Sequence, residues 1–319
     1  MIRHLPMGLM WNMPIPVACS LAVASDGLAV TCGQCPLDGD GQVLAPGDAA
    51  AQAGVVAAMG QGVLAHLPDP HHPALLVVYH DCTDPQDVLT PLAKAFPQTT
   101  LAPVRLPHFY YPGMRIEVDL YAITTPPRTT VETRGPARLT RIDGGPLALL
   151  HLTAPDMPSA LPLLTCIDPA LVLSAQWFAA DPPPSHIPDP AARVIPPDGS
   201  VSAILTLAAT PVTATTTQGG AILRRAGRFA WTSATGTAPD LAQSAHQAMD
   251  ALDLSGLTIL KATTHYAGGP RPQDLHANLA VRHARFPMPG PASTGVPVAG
   301  LATATLAIDM LAIVDSPAE

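Results

Sequence analysis

Glu117 and Asp119 lie two residues apart in the stretch Arg115-Ile116-Glu117-Val118-Asp119. Alternation along a strand sends both carboxylates to one face and Ile116, Val118 and Leu120 to the other. A carboxyl group so placed can orient or activate a water. Arg115 shares the face of Glu117, which predicts an ion pair with a carboxylate. Just upstream, His108-Phe109-Tyr110-Tyr111 gathers three of the chain's thirteen aromatic residues before Pro112-Gly113. Such a loop suits a flat ligand at the mouth of a cleft, or else it plugs a neighbouring unit. Cys32 and Cys35 form a C-x-x-C, but no second pair and no histidine at finger spacing accompany it. The pair lies at a strand end, not at a helix N-terminus that would activate a thiol. His71-His72, His80-Asp81 and His265 also lack ligand spacing, so no metal and no cofactor are expected. Arg134, Arg138 and Arg141 could share a helical face, but Gly135-Pro136 between them predicts a solvated loop.

These groups need elements to hold them. Leu28 to Val30 is an apolar run broken by Gly33 and stopped by Pro36, a buried strand ending in a turn. Residues 18–31 read as strand, turn and strand, and Asp38 to Gly41 as a hairpin turn. Asp48 is an expected N-cap for a helix over 49–67, where Val55, Ala58, Met59, Val63 and Leu67 recur at helical spacing. A covered strand follows at Ala74 to His80, then a helix from Asp84-Pro85 to about Phe96. Strands near 99–106 and 114–123 complete an order of β-β-β-α-β-α-β-β, an α+β unit with its two helices on one side of a mixed sheet.

The pattern returns. Gly227 to Gly236 repeats the opening run, and the later landmarks keep their spacing: Gln52 to Phe96 is 44 residues and Gln243 to Phe286 is 43, while Phe96 to Asp119 and Phe286 to Asp309 are both 23. The chain is therefore expected to hold one unit over 1–125 and another over 211–319. Residues 126–210 carry strand-like runs at Ala148 to Thr153, Leu171 to Phe178 and Val201 to Ala208, with a short helix at Ser159 to Cys166. They are expected to be an extension of one unit's sheet, the alternative being a shrunken third copy.

Element order, Cys32-Gly33-Gln34-Cys35-Pro36 (family pattern S-G-Q-x-P) and the closing Arg115-Ile116-Glu117-Val118-Asp119 with Ala122 resemble the Rid/YjgF family. These are the reactive intermediate deaminases, also labelled endoribonuclease L-PSP-like. The resemblance covers about residues 14–125 and 211–314. It implies tandem Rid/YjgF-like domains, a fold shared with chorismate mutase, and trimeric packing with ligand clefts between neighbours. It also implies an arginine, in a P-x-R-[ST] segment, that pairs with a substrate carboxylate. Counting eight residues back from Leu106 and from Leu301 puts Gln98 and Ser293 at that position, neither of them arginine. The family's N-terminal tyrosine falls on Cys19, and the acidic residue kept as Glu117 in the first unit is Ala307 in the second.

The expected function is binding of a small metabolite at a cleft between domains or subunits, with imine or enamine deamination by hydrolysis. Glu117 is the expected catalytic residue, and Gln98, Thr99, Gln34, Tyr110, Tyr111 and Ser293 are the expected ligand contacts. The alternatives are a non-catalytic binding protein and an enzyme of the chorismatase or cyclic-amide hydrolase kind. A net charge of −8, with only two lysines, argues against nucleic acid as a partner. No apolar run reaches the length of a membrane span. An odd count of five cysteines suits reduced thiols and a cytoplasmic location. The expected assembly is a homotrimer, or a pseudo-trimer within one chain if residues 126–210 are a third copy.

Overall fold

The computed structural model describes residues 1–188 and 193–315. Residues 189–192 lie outside the described residues, as does the end of the last expected domain.

The first unit runs β1 (Arg3–Pro6), β2 (Ser20–Ser25), β3 (Leu28–Thr31), α1 (Ala49–His66), β4 (His72–His80), α2 (Gln86–Ala95), β5 (Thr100–Arg105) and β6 (Ile116–Ile123). This is the expected order, with one change. The strand expected after the Asp38–Gly41 turn amounts to a single bridge, Leu37 to Val43, and Arg3–Pro6 supplies the extra strand by pairing with β2. Asp48 caps α1 as expected, its carboxylate accepting from Ala51 N at 2.9 Å. The strands lie in the order β1-β2-β3-β6-β4-β5, with β4 and β5 parallel. Pro103 in β5 suits an edge strand, where a missing donor costs no ladder bond.

The last unit repeats this plan: β13 (Thr213–Thr216), β14 (Ile222–Ala226), β15 (Phe229–Gly236), α4 (Leu241–Ala251), β16 (Leu257–Tyr266), α5 (Pro272–His283), β17 (Ala292–Pro297) and β18 (Leu306–Val314). Its strand order is β13-β14-β15-β18-β16-β17, and β17 touches β2 at Ala292 and Ser20, joining the two sheets edge to edge.

Between them stand β7 (Arg128–Arg134), β8 (Ala137–Asp143), β9 (Ala148–Ala154), α3 (Met157–Leu164), β10 (Val172–Phe178), β11 (Arg193–Val194) and β12 (Val201–Leu207). The expectation that this segment extends a neighbour's sheet is not met. Its strands form a sheet of their own, β7-β8-β9-β12-β10-β11, again in the order first, second, third, last, fourth, fifth. β10 and β11 are parallel while β12 is antiparallel to both β9 and β10, as in the flanking units. Among the described residues no helix stands between the fourth and fifth strands. The basic stretch expected to be a loop is the β7–β8 hairpin, with Gly135 at φ +56° in its turn.

The three sheets share one apolar core, to which Val77, Leu173 and Leu260 all belong. Tyr79, Phe178 and His265 occupy matching places on β4, β10 and β16, opposite Glu117, Ser202 and Ala307. Their rings meet edge to face around His265, at 6.5 Å from Tyr79 and 5.7 Å from Phe178. Burial lowers the His265 pKa to about 4, which keeps the imidazole neutral in this apolar centre. Among the described residues no helix is long and apolar enough to cross a membrane.

Candidate functional site

The junction of the first and last units is held by polar bonds across two sheet edges. Ser20 N donates to Pro291 O at 3.0 Å, Ser20 Oγ to Gly290 O at 2.6 Å and Gly33 N to Ser293 O at 3.3 Å. Beneath them Lys261, one of only two lysines, is buried on β16. Its Nζ donates to Asp119 Oδ1 and Thr31 O, each at 2.7 Å, and to Thr294 Oγ1 at 2.5 Å. All three ammonium hydrogens thereby find acceptors, which a buried cation requires.

Above this pair lies a cavity of about 30 Å³, room for a water or two. Glu117, Tyr110 and Gly33 wall it from the first unit, Ser293 and Gly295 from the last, and Met7, Trp11 and Met13 cover it. The cover is pinned where Trp11 Nε1 donates to Gln34 Oε1 at 3.2 Å.

Glu117 is fully enclosed and accepts at Oε2 from Tyr110 Oη at 2.8 Å. Its room exists because Gly33 has no side chain: a Cβ there would stand 1.7 Å from Glu117 Oε1. Burial first, and then the Asp119 carboxylate, push the Glu117 pKa up to about 8. At neutral pH the group is mainly protonated, so its resting role is that of an acid. Tyr110 Oη also meets Cys35 Sγ at 3.3 Å. Burial drives the Cys32 and Cys35 thiols far up, so these free cysteines are poor nucleophiles.

The last unit adds a cation. Arg282 on α5 is fully buried, donating from Nη1 to Ser293 Oγ at 2.9 Å and from Nη2 to Asn278 Oδ1 at 3.1 Å. Its Nε has no partner, and among the described residues it has no carboxylate within ion-pair distance. Burial lowers its pKa to about 10, which leaves it charged at pH 7. His283 beside it is held neutral, its pKa lowered to about 3 by burial and then by Arg282. Ser293 Oγ accepts from Arg282, so its own hydrogen is free to donate into the cavity. A buried guanidinium without a counter-charge, one hydroxyl away from an uncharged acid, is an arrangement that favours an anion.

No family model matches the chain, and no curated protein matches it. Solved structures do. YyfA of the Rid family, from Yersinia pestis, is 18% identical with a TM-score of 0.33, over 39% of this chain and 99% of its own. NMB1025, a YjgF family member from Neisseria meningitidis, is 20% identical with a TM-score of 0.28, over 40% of this chain and 97% of its own. The YjgF gene product of E. coli is 16% identical with a TM-score of 0.33, over 38% and 98%. These are Rid and YjgF proteins.

In this chain the expected site residues divide between two places. Glu117, Tyr110 and Ser293 meet at the cavity. Gln34 stands just outside it, its amide satisfied by Trp11 and by Cys32 O at 3.1 Å. Tyr111 bonds His276 of α5 at 2.9 Å, so the aromatic loop plugs the last unit and does not frame an open mouth. Gln98 and Thr99 are elsewhere, in a cleft between α2, β5 and the middle sheet. The physical reason is that the two edges of one unit face different neighbours. The count pairing Gln98 with Ser293 also shifts. Asp119 faces Val77 and Asp309 faces Thr263, so Leu76 matches Ala262, and their β5 and β17 partners are Leu101 and Ser293. Gln98 then corresponds to Gly290. Arg115 forms the expected ion pair, at 2.5 Å from Asp81. Two buried cations of this junction were missed. Arg282 is one charge on a helix that buries Asn278 and His283 as well as Leu275 and Leu279, and Lys261 lies among threonines and aliphatic residues of β16, where its rarity in the chain was the available signal.

Proposed function

We propose that the cavity between the first and last units binds a small metabolite bearing a carboxylate, and that Glu117 donates a proton to it in imine or enamine hydrolysis. The observation that carries this reading is Arg282, a buried charged guanidinium with no carboxylate partner among the described residues, bonded to the Ser293 hydroxyl at the cavity wall. The ligand carboxylate accepts from Ser293, and Arg282 behind it supplies the charge. The Glu117 acid protonates the imine nitrogen, and water adds to the carbon. The new Glu117 carboxylate takes a proton from the added water and passes it to the amine nitrogen, and ammonia leaves as the hydroxyl gives its proton back to Glu117, with a carbonyl product behind. Because the cavity is so small, entry requires the Met7–Met13 cover to swing away.

The same binding without turnover is the second reading, favoured by the tight cavity and by Gly290 standing where the resemblance calls for arginine. One experiment separates the two. With 2-aminoacrylate generated in situ, pyruvate should appear faster than in buffer, and E117Q should lower the excess rate by about a hundredfold or more. Stabilisation by keto acids with no excess rate would leave binding alone. Neither effect would remove the reading.

The proposal extends to assembly. Residues 126–210 act as a third, reduced unit, and one chain closes the ring that the family resemblance assigns to three subunits. The repeated strand order and the three meeting rings support this.

A further inference from the structure

We propose that the cleft between the first unit and the middle sheet is a second binding site, taking the carboxylate of a small amphipathic monoanion through Arg138. This inference is independent of the proposed reaction. The cleft measures about 510 Å³, within the range of roughly 300–1,000 Å³ typical of ligand pockets. It lies between α2 and β5 on one side and β7, β8 and β9 on the other.

Two cations of the β7–β8 hairpin, Arg128 and Arg138, have no ion pair among the described residues, and of the two Arg138 faces the cleft. Arg134 pairs with Glu132 and Arg141 with Asp143, each at 2.9 Å. Arg138 lines the cleft and, among the described residues, has neither an ion pair nor a hydrogen bond. Deeper in, His151 is only 6% exposed and meets Ser202 Oγ at 3.4 Å. Burial and then Arg138 lower its pKa to about 4, so it is neutral at pH 7 and adds no second charge. A neutral imidazole can still bond a ligand carbonyl or hydroxyl beside the carboxylate. Thr99 and Thr140 add hydroxyls, while Leu89 and Pro103 give an apolar wall. One guanidinium with one neutral imidazole balances a monoanion, not a phosphate dianion. Arg138 can take it in two parallel hydrogen bonds.

The place is not arbitrary. Ser202 faces Phe178 as Glu117 faces Tyr79, so this cleft corresponds to the enclosed cavity described above, one interface further round the molecule. There the acid is buried and the cation lies behind a serine. Here the cation is exposed and no acid is present at the matching position.

Calorimetric titration with 4-methyl-2-oxopentanoate tests the proposal directly. The wild type should bind it, and R138Q should weaken that binding by about tenfold or more. R138Q should also keep the wild-type melting temperature, because the side chain is exposed and unpartnered. The component of binding lost in R138Q should persist in R282Q, so failure here and failure of the enclosed site register in different variants. Wild-type-like affinity in R138Q overturns the site. No heat up to about 10 mM overturns it too. Arg138-dependent binding of inorganic phosphate in preference to the oxo acid overturns the assigned monoanion.

Discussion

At the scale of single residues the enclosed cavity rests on one unusual state, a glutamic acid that keeps its proton near neutrality. Unfolding returns Glu117 from about 8 towards its ordinary 4.5. The folded protein thus holds an extra proton between those values. The contribution of this group to stability is full below pH 4.5 and is lost as pH rises through 8. Glutamine mimics the protonated form and cannot lose it. The stability of E117Q relative to wild type should therefore climb between about pH 5 and 8, by up to about 1.4 kcal/mol per pH unit. Urea unfolding at several pH values checks this, and a difference that stays flat across that range would mean that Glu117 is ionised throughout. Glu117 and Tyr110 were legible in the sequence because strand alternation and an aromatic cluster are local signals. Arg282 was not, since the direction of a helical side chain depends on what the helix packs against. Ser293 was named through a count from Leu301 that the strand register replaces with Val298, the residue that bonds Tyr266 O as Leu106 bonds His80 O.

At the scale of elements, β16 and β6 are tied by Lys261 and Asp119, a pair only 2–3% exposed or less. Removing one partner strands the other charge. K261M should destabilise the chain by about 3–5 kcal/mol, and adding D119N should recover part of that loss. Denaturant midpoints measure both. A neutral K261M would show that water reaches Asp119 freely. The strands and helices of the flanking units could be read from apolar periodicity, because each buries a face. The β7–β8 hairpin could not. β7 is an edge strand whose residues, mostly Thr and Arg, are nearly all exposed, so no apolar alternation marks it. Gly135-Pro136 suggested a loop and is in fact the hairpin's turn.

At the scale of the whole molecule, three runs of strands in like order each give one ring to the cluster of Tyr79, Phe178 and His265. In the middle segment three strands could be read from apolar runs, but its shorter length and the want of a long helix pattern favoured an extension over a third copy. If one chain satisfies all three faces, light scattering should give a mass near 33.0 kDa across micromolar concentrations. A mass three times larger would mean that the faces are completed between chains. The claim that joins these scales is that the first and last units build an anion seat between them. Titrating pyruvate into wild type and R282Q at pH 7 tests it most directly. Saturable binding to the wild type, weakened by about tenfold or more in a folded R282Q, is the predicted result. Equal affinity in both proteins, or no binding to either, would contradict it.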